Sequence, residues 1–101
     1  MKKLNELPIA KIASIASILK TLGHPVRIKI ICILENKKLS VNEILGLINN
    51  NNNNNNIDQP TLSHHLIKLK NAKILKSSKS GLHVYYELTS KKYSELLHCM
   101  E

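Results

Sequence analysis

The sequence predicts one mainly α-helical domain that carries a small β-hairpin. Two observations support this prediction. Apolar residues recur at spacings of three and four in several segments, which is typical of amphipathic helices. After Ala72 the spacing changes to two, which is typical of strands. The predicted order is four helices, two strands and a last helix (α-α-α-α-β-β-α). A length of 101 residues suits a single domain, which we predict to span residues 1–101.

An excess of positive charge indicates the class of partner. Fifteen Lys and Arg residues against seven Asp and Glu give a formal net charge of +8. This balance favours a polyanionic partner, although a membrane surface or simple solubility would also account for it. The sequence has no apolar run of transmembrane length, and Glu6 and Pro8 interrupt the region where a signal peptide has its apolar core. We therefore expect a cytoplasmic protein without a membrane partner.

Two helices are predicted in the first third of the chain. The first runs from about Ile9 to Leu22, and Gly23 follows it as a C-terminal cap. Pro25 begins the second, which is predicted to reach about Glu35. Its β-branched residues would also suit a strand, but the proline start favours a helix. Apolar residues lie almost all round this second helix, so we expect it to be central and buried.

A third helix and an asparagine run follow. Ser40 and Glu43 have the spacing of a capping box, in which each side chain bonds the backbone N–H of the other residue. They predict a short helix that begins at Val41. Eight consecutive asparagines then occupy residues 49–56. We interpret this uncharged, low-complexity run as a flexible insertion.

The fourth predicted helix, residues 58–72, has two different faces. Asp58 can cap its first turn, in which Pro60 is well tolerated. Its apolar stripe consists of Leu62, Leu66 and Leu69. Its opposite face consists of Thr61, His64, Lys68 and Asn71. These residues supply donors, acceptors and one cation but no carboxylate, which suits a helix in a DNA groove. An ordinary solvated face is the alternative.

A lysine-rich hairpin, residues 74–88, and a short helix complete the chain. Its strands are predicted at residues 74–79 and 82–88, with a turn at Ser80 and Gly81. The last helix is predicted from about Ser90 to Met100. Two short helices followed by a basic hairpin describe a winged helix-turn-helix, with residues 58–72 as the recognition helix and the hairpin as the wing.

The sequence resembles the ArsR/SmtB family of small bacterial transcriptional repressors. The resemblance is carried by residues 19–27 (LKTLGHPVR), 39–44 (LSVNEI), 59–66 (QPTLSHHL) with Leu69, and 81–88 (GLHVYYEL). It implies a homodimer, held together by its first and last helices, that binds a double-stranded DNA operator and blocks transcription at the bacterial nucleoid. In three places the sequence departs from the family, and one of them is a last helix that ends at Glu101 and is shorter than is typical. The asparagine run lengthens a turn that normally has three or four residues, and Lys73 stands where the family usually has a glycine.

The resemblance implies a set of DNA contacts. On the recognition helix the candidates are Gln59, Thr61, Ser63, His64 and Lys68. On the wing they are Lys76, Lys79 and His83, with a simply solvated hairpin tip as the alternative. We expect His65 to be a packed structural histidine. Arg27 is either a contact to the DNA backbone or an internal salt-bridge partner, and the sequence does not choose between them.

Members of this family sense metals or thiol chemistry. Residues 39–43 contain no cysteine, and Ser90 and Lys92 stand at the metal-ligand positions of the last helix, so we predict no metal site and no cofactor. Cys32 lies where thiol-sensing relatives carry a cysteine, and Cys99 is its possible partner. Thiol sensing is therefore favoured over metal sensing. For Cys32 itself we favour a small apolar core position, and Cys99 lies too early in the last helix for an easy disulfide.

These observations predict a DNA-binding transcriptional repressor and not an enzyme. No nucleophile is paired with a base on a supported turn, and the sequence has no phosphate-binding loop. The alternative is a winged-helix protein-interaction module without specific operator binding. The inducer cannot be read from the residues.

Overall fold

The computed structural model describes residues 3–50 and 56–101. Its helices are α1 (Ile9–Thr21), α2 (Pro25–Ile33), α3 (Val41–Asn49), α4 (Gln59–Asn71) and α5 (Lys92–His98). Its strands are β1 (Leu39–Ser40), β2 (Leu75–Ser80) and β3 (His83–Leu88), and a 3₁₀ turn at Leu4–Glu6 precedes α1. The predicted winged helix-turn-helix is confirmed, with a last helix shorter than expected. Within the described residues, no helix is long and apolar enough to cross a membrane.

The sheet has a third strand that the sequence did not predict. Its strands are antiparallel in the order β1-β3-β2. In β1, Leu39 pairs with Tyr86 and Ser40 with Tyr85. Two residues are too few to show an alternating pattern, so nothing in the sequence marks this strand. Because Ser40 leads directly into α3, the sheet connects the wing to the helix-turn-helix.

The wing turns one residue later than predicted. Ser80 pairs with His83, which leaves Gly81 and Leu82 as a two-residue loop. Gly81 has φ +61°, as the first loop position of a type II′ hairpin requires. Leu82 is therefore at the tip, with 96% of its surface exposed.

A single core of Ile and Leu residues holds the helices to the sheet. Its fully buried members are Ile30, Ile31, Leu34, Ile44, Leu62, Leu66, Leu69, Ile74 and Leu75. The predicted stripe of α4 is confirmed, because all three of its leucines belong to this set. Truncating any one of them to alanine should cost about 2–5 kcal/mol of unfolding free energy.

Helix α2 is buried along one side only, which corrects the expectation that it is buried all round. Ile30 and Ile31 are completely buried, whereas Ile28 is 37% exposed. Cys32 is also exposed, so the interpretation of Cys32 as a packed core residue is wrong for this chain. The helix packs against α3, α4 and α5, and its remaining side faces outward with its apolar residues uncovered.

Helix α4 ends in a Schellman motif built on a lysine. The N–H of Ile74 donates to the carbonyl of Leu69 at 3.0 Å, and the N–H of Lys73 donates to that of Lys70 at 2.9 Å. Lys73 has φ +63°, a left-handed conformation in which glycine is the unstrained residue. The glycine that this family usually carries here therefore has a clear structural reason.

The first residue of the asparagine run is helical. Asn49 is the last residue of α3 and Asn50 follows as its cap, so the predicted insertion at 49–56 begins too early. Its residues 51–55 lie outside the described residues. The flexibility predicted for them stays a prediction.

Candidate DNA-binding surface

Capping fixes the start of α4 as predicted. The carboxylate of Asp58 accepts a hydrogen bond from the backbone N–H of Thr61 at 2.9 Å. Hydrogen bonds from the Thr61 side chain and backbone hold the pKa of Asp58 below its usual value. The negative charge of Asp58 also interacts favourably with the positive end of the helix dipole. The helix therefore begins at Gln59, which sets the rotation of every later side chain about its axis.

The outward face of α4 carries most of the predicted recognition residues. Thr61, His64 and Lys68 are exposed, and so is Gln59 in the first turn. Ser63 is only half-buried at the side of this face. Helix α4 contains no Asp or Glu, so nothing on it repels phosphate. This face can donate and accept hydrogen bonds at base edges.

Ile67 is a candidate that the sequence reasoning missed. It is 50% exposed and lies at about 100° per residue between Ser63 and Asn71 on the outward face. The helical spacing alone places Ile67 away from the leucine stripe, so the sequence could have identified it as an outward-facing residue. An exposed apolar side chain here suits contact with the methyl group of thymine in the major groove.

His65 and Arg27 form an internal link, in which His65 is buried and Arg27 is half-buried. His65 is buried, as expected, with 6% of its surface exposed. Arg27 Nε donates to His65 Nδ1 at 3.1 Å, and its Nη1 donates to the carbonyl of Thr21, also at 3.1 Å. The His24 ring lies 4.4 Å from the His65 ring, centre to centre. Arg27 is therefore a cationic hydrogen-bond donor to a histidine and a backbone carbonyl, which is neither of the two roles expected for it.

This environment lowers the pKa of His65. The cause is burial first, and then the nearby His24, Arg27 and His64, whose positive charges oppose a further one. In this environment the neutral form of His65 is thus favoured over the protonated form. The link holds the buried side of α4 against the start of α2.

The three wing candidates occupy different parts of the hairpin. Lys79 and His83 are exposed near its tip. Lys76 lies nearer its base, where its Nζ is 3.7 Å from a carboxylate oxygen of Glu87. An exposed pair of this kind is weak, yet it directs Lys76 across the sheet. This pairing makes Lys76 the weaker candidate for a phosphate contact.

The wing tip and the start of α4 lie side by side. A shallow cleft is lined by Gln59 of α4, Asn42 of α3 and Leu82 and His83 of the wing. The fold thus brings two of the predicted candidates, Gln59 of α4 and His83 of the wing, to the same cleft. Residues far apart in the sequence therefore line one cleft between the recognition helix and the wing.

The two cysteines lie elsewhere, near the end of α5. Both thiols are free and exposed. Cys32 lines a cleft with Glu35 and His98. His98 Nε2 is 2.6 Å from Glu35 Oε2, and its Nδ1 is 3.4 Å from Glu101 Oε1. These two carboxylates, Glu35 first, raise the pKa of His98. Across residues 3–50 and 56–101, no three His, Cys, Asp or Glu side chains are grouped to hold a metal ion.

Comparison with known proteins identifies the family. No family model matches the chain. Over 86 residues the chain is 34% identical to the biofilm growth-associated repressor of Xylella fastidiosa, a match that covers 85% of this chain and 69% of that protein. The chain belongs to the ArsR/SmtB family of winged helix-turn-helix transcriptional repressors. The predicted membership is thereby confirmed.

Further comparisons agree in sequence and in fold. The transcriptional repressor PagR of Bacillus anthracis is 34% identical over 83 residues, with 81% of this chain and 76% of PagR covered. The structure of reduced HlyU from Vibrio cholerae superimposes with a TM-score of 0.77 and 29% identity, covering 90% of this chain and 92% of HlyU. The Xylella and Bacillus relatives are thus repressors by name.

Proposed function

We propose that this chain represses transcription by binding a double-stranded DNA operator as a homodimer. The observation that carries the proposal is the outward face of α4, which has hydrogen-bonding groups, one cation and no carboxylate. It lies beside the wing tip, in a protein with a net charge of +8. Phosphate neutralisation would supply most of the affinity, and α4 would supply the specificity.

Each surface has its own role in this proposal. Helix α4 lies in the major groove, where Thr61, His64 and Ile67 meet base edges and Lys68 meets phosphate. Gln59 and Ser63 flank that contact. Lys79 and His83 meet the backbone or the minor groove. Lys76, paired with Glu87, contributes less.

The dimer is supported by an uncovered apolar face on α1. Ile12, Ile15 and Leu19 are 44%, 41% and 49% exposed and recur at one-turn spacing. A second copy of this helix and the half-buried leucines of α5 would cover that face. Two-fold symmetry would then place the two α4 helices about one DNA turn apart, on the order of 34 Å, on an inverted repeat.

Operator selection from random duplexes, combined with sedimentation, tests this function. We expect a dimer at micromolar concentration, an inverted repeat among the selected sites, and an affinity that falls steeply with salt. Ile15→Lys should weaken the dimer and the operator affinity together, whereas Ser17→Lys, which adds the same charge to the same helix, should leave both unchanged. A monomer from which no operator can be selected would favour the protein-interaction module instead.

We propose no catalytic role, since the relatives are repressors, and we place the protein at the bacterial nucleoid in the cytoplasm. Thiol chemistry at Cys32, with Cys99 as a possible partner, is favoured over metal sensing. The exposure of Cys32 supports this preference, because a reagent can reach its sulfur.

A further inference from the structure

The side chain of Asn49 joins the two ends of the asparagine run. Its Nδ2 donates to the carbonyl of Ile57 at 2.9 Å, and its Oδ1 accepts from the N–H of the same residue at 3.0 Å. One amide group thus satisfies both backbone polar groups of one residue. Asn49 ends α3, and Ile57 lies two residues before α4. The two bonds therefore fix the chain where it leaves one helix and where it approaches the next.

This pairing depends on the chemistry and position of Asn49. An amide side chain carries a donor and an acceptor on two separate atoms, whereas an ionised carboxylate has no donor and a hydroxyl has both functions on one oxygen. Both partners are half-buried, so water competes less for these groups than at the surface. Ile57 itself packs against the core. The next residue, Asp58, caps α4, so the pairing fixes the position from which the recognition helix starts.

We propose that Asn49 is a positioning residue that makes DNA binding independent of the length of the chain between residues 50 and 56. With its two bonds in place, the ends of this segment are held at one separation, whatever lies between them. Added residues then change only the closure entropy of folding, which rises slowly with length. Without the two Asn49–Ile57 hydrogen bonds, the length of this segment would influence how α4 packs against α3. The inference rests on the proposed operator binding.

The test crosses segment length with the identity of residue 49. Three lengths are compared: the natural one, one lacking residues 52–55, and one with four added asparagines. Each is made with Asn49 and with Asn49→Ala, and Asn50→Ala serves as the matched control, since its side chain is exposed. Operator affinity is measured for every variant. With Asn49 or with Asn50→Ala, we expect affinities within about threefold across the lengths.

With Asn49→Ala we expect affinity to vary about tenfold or more across the three lengths, a non-additive result that marks coupling. If Asn49 only added stability, Asn49→Ala would lower the operator affinity by the same factor at all three segment lengths. That outcome overturns the proposal. If operator affinity depends on segment length equally with Asn49 and with Asn49→Ala, the proposal is also overturned. Asn49→Asp, which keeps the acceptor and loses the donor, should behave as the alanine variant does.

Amide exchange separates this proposal from the proposed function. The Ile57 N–H should exchange slowly at every segment length with Asn49 and quickly with Asn49→Ala. If no variant binds an operator, the proposed function fails, while slow exchange at all three lengths still supports the positioning role. Fast exchange of Ile57 in the unmodified protein overturns the role directly.

Discussion

Arg27 Nε donates a hydrogen bond to His65 Nδ1 across 3.1 Å, and this bond joins α2 to the buried side of α4. The acceptor nitrogen must carry no proton, so the remaining proton of neutral His65 is on Nε2. A second proton would remove the acceptor and place a charge beside Arg27, His24 and His64. The contact that fixes the recognition helix is therefore sensitive to acid.

The first prediction concerns this sensitivity to pH. The pKa of His65 is lower in the folded protein than its usual 6.5. Between those two values the unfolded chain binds the proton and the folded chain does not, so acid favours unfolding. The stability contribution of His65 is thus complete above pH 6.5 and declines as the pH falls below it. Urea unfolding from about pH 8 to about pH 5 measures the slope.

His65→Asn is the matched variant for this prediction. Its amide oxygen can accept from Arg27, but it does not titrate. We expect stability to fall less between neutral and mildly acid pH in this variant than in the unmodified protein. Equal slopes would show that His65 does not cause the acid sensitivity.

The second prediction separates base contacts from phosphate contacts. His64→Ala should weaken the selected operator more than random DNA, by roughly 1–3 kcal/mol. Lys79→Ala should weaken both DNAs alike and flatten the salt dependence by about one unit. Fluorescence anisotropy at several salt concentrations measures both effects. If His64→Ala also weakens both DNAs alike, His64 does not read a base.

The third prediction tests Ile67 against the thymine methyl group. Replacing the contacted thymine by uracil should cost about 0.8 kcal/mol, roughly fourfold in affinity, since one methyl group is no longer buried. In Ile67→Ala the same replacement should cost almost nothing. Lys70→Ala, a neighbouring exposed change on α4, should keep the full effect. A cost for uracil that is equal in all three proteins would exclude the contact.

The fourth prediction concerns Lys73. Lys73→Gly should raise the free energy of unfolding by about 1 kcal/mol, because glycine adopts the left-handed conformation without strain. Lys73→Ala removes the same charge but keeps a β-carbon at φ +63°, so it should bring no gain. Urea unfolding compares the variants. A gain from alanine equal to that from glycine would attribute the effect to charge.

The fifth prediction concerns Cys32. Because Cys32 is exposed, it should react with a thiol reagent in the native protein nearly as fast as in urea. If it senses thiol chemistry, mild oxidant should release the operator from the unmodified protein and not from Cys32→Ser. Cys99→Ser shows whether the second thiol takes part. Slow labelling of Cys32 would mean that the assembled dimer covers it.

Local signals in the sequence were sufficient for most of the fold. The Asp58 cap, the Ser40 capping box and the leucine stripe of α4 each depend on residues within a few positions of one another. Each was predicted, and the structure contains each of them. The unusual lysine at position 73 was also visible, since the resemblance implied a glycine there.

Contacts between distant residues account for what the sequence did not show. Arg27 and His65 are 38 positions apart, and no periodicity relates them. The exposed side of α2 was missed because a helix that is apolar all round does not show which side its neighbours cover. Asn49 is one of eight identical residues in a row, so only the position of Ile57 in space distinguishes it from the others.

The position of Ser40 restricts how the protein can release DNA. Its backbone pairs with Tyr85 of the wing, and its side chain and N–H form the capping box of α3 with Glu43. One residue thus belongs both to the sheet and to the helix-turn-helix, with no hinge between them. On release from DNA, the wing and the helix-turn-helix of one subunit should therefore move together. A wing tip that moved away from α4 within one subunit on release would contradict this.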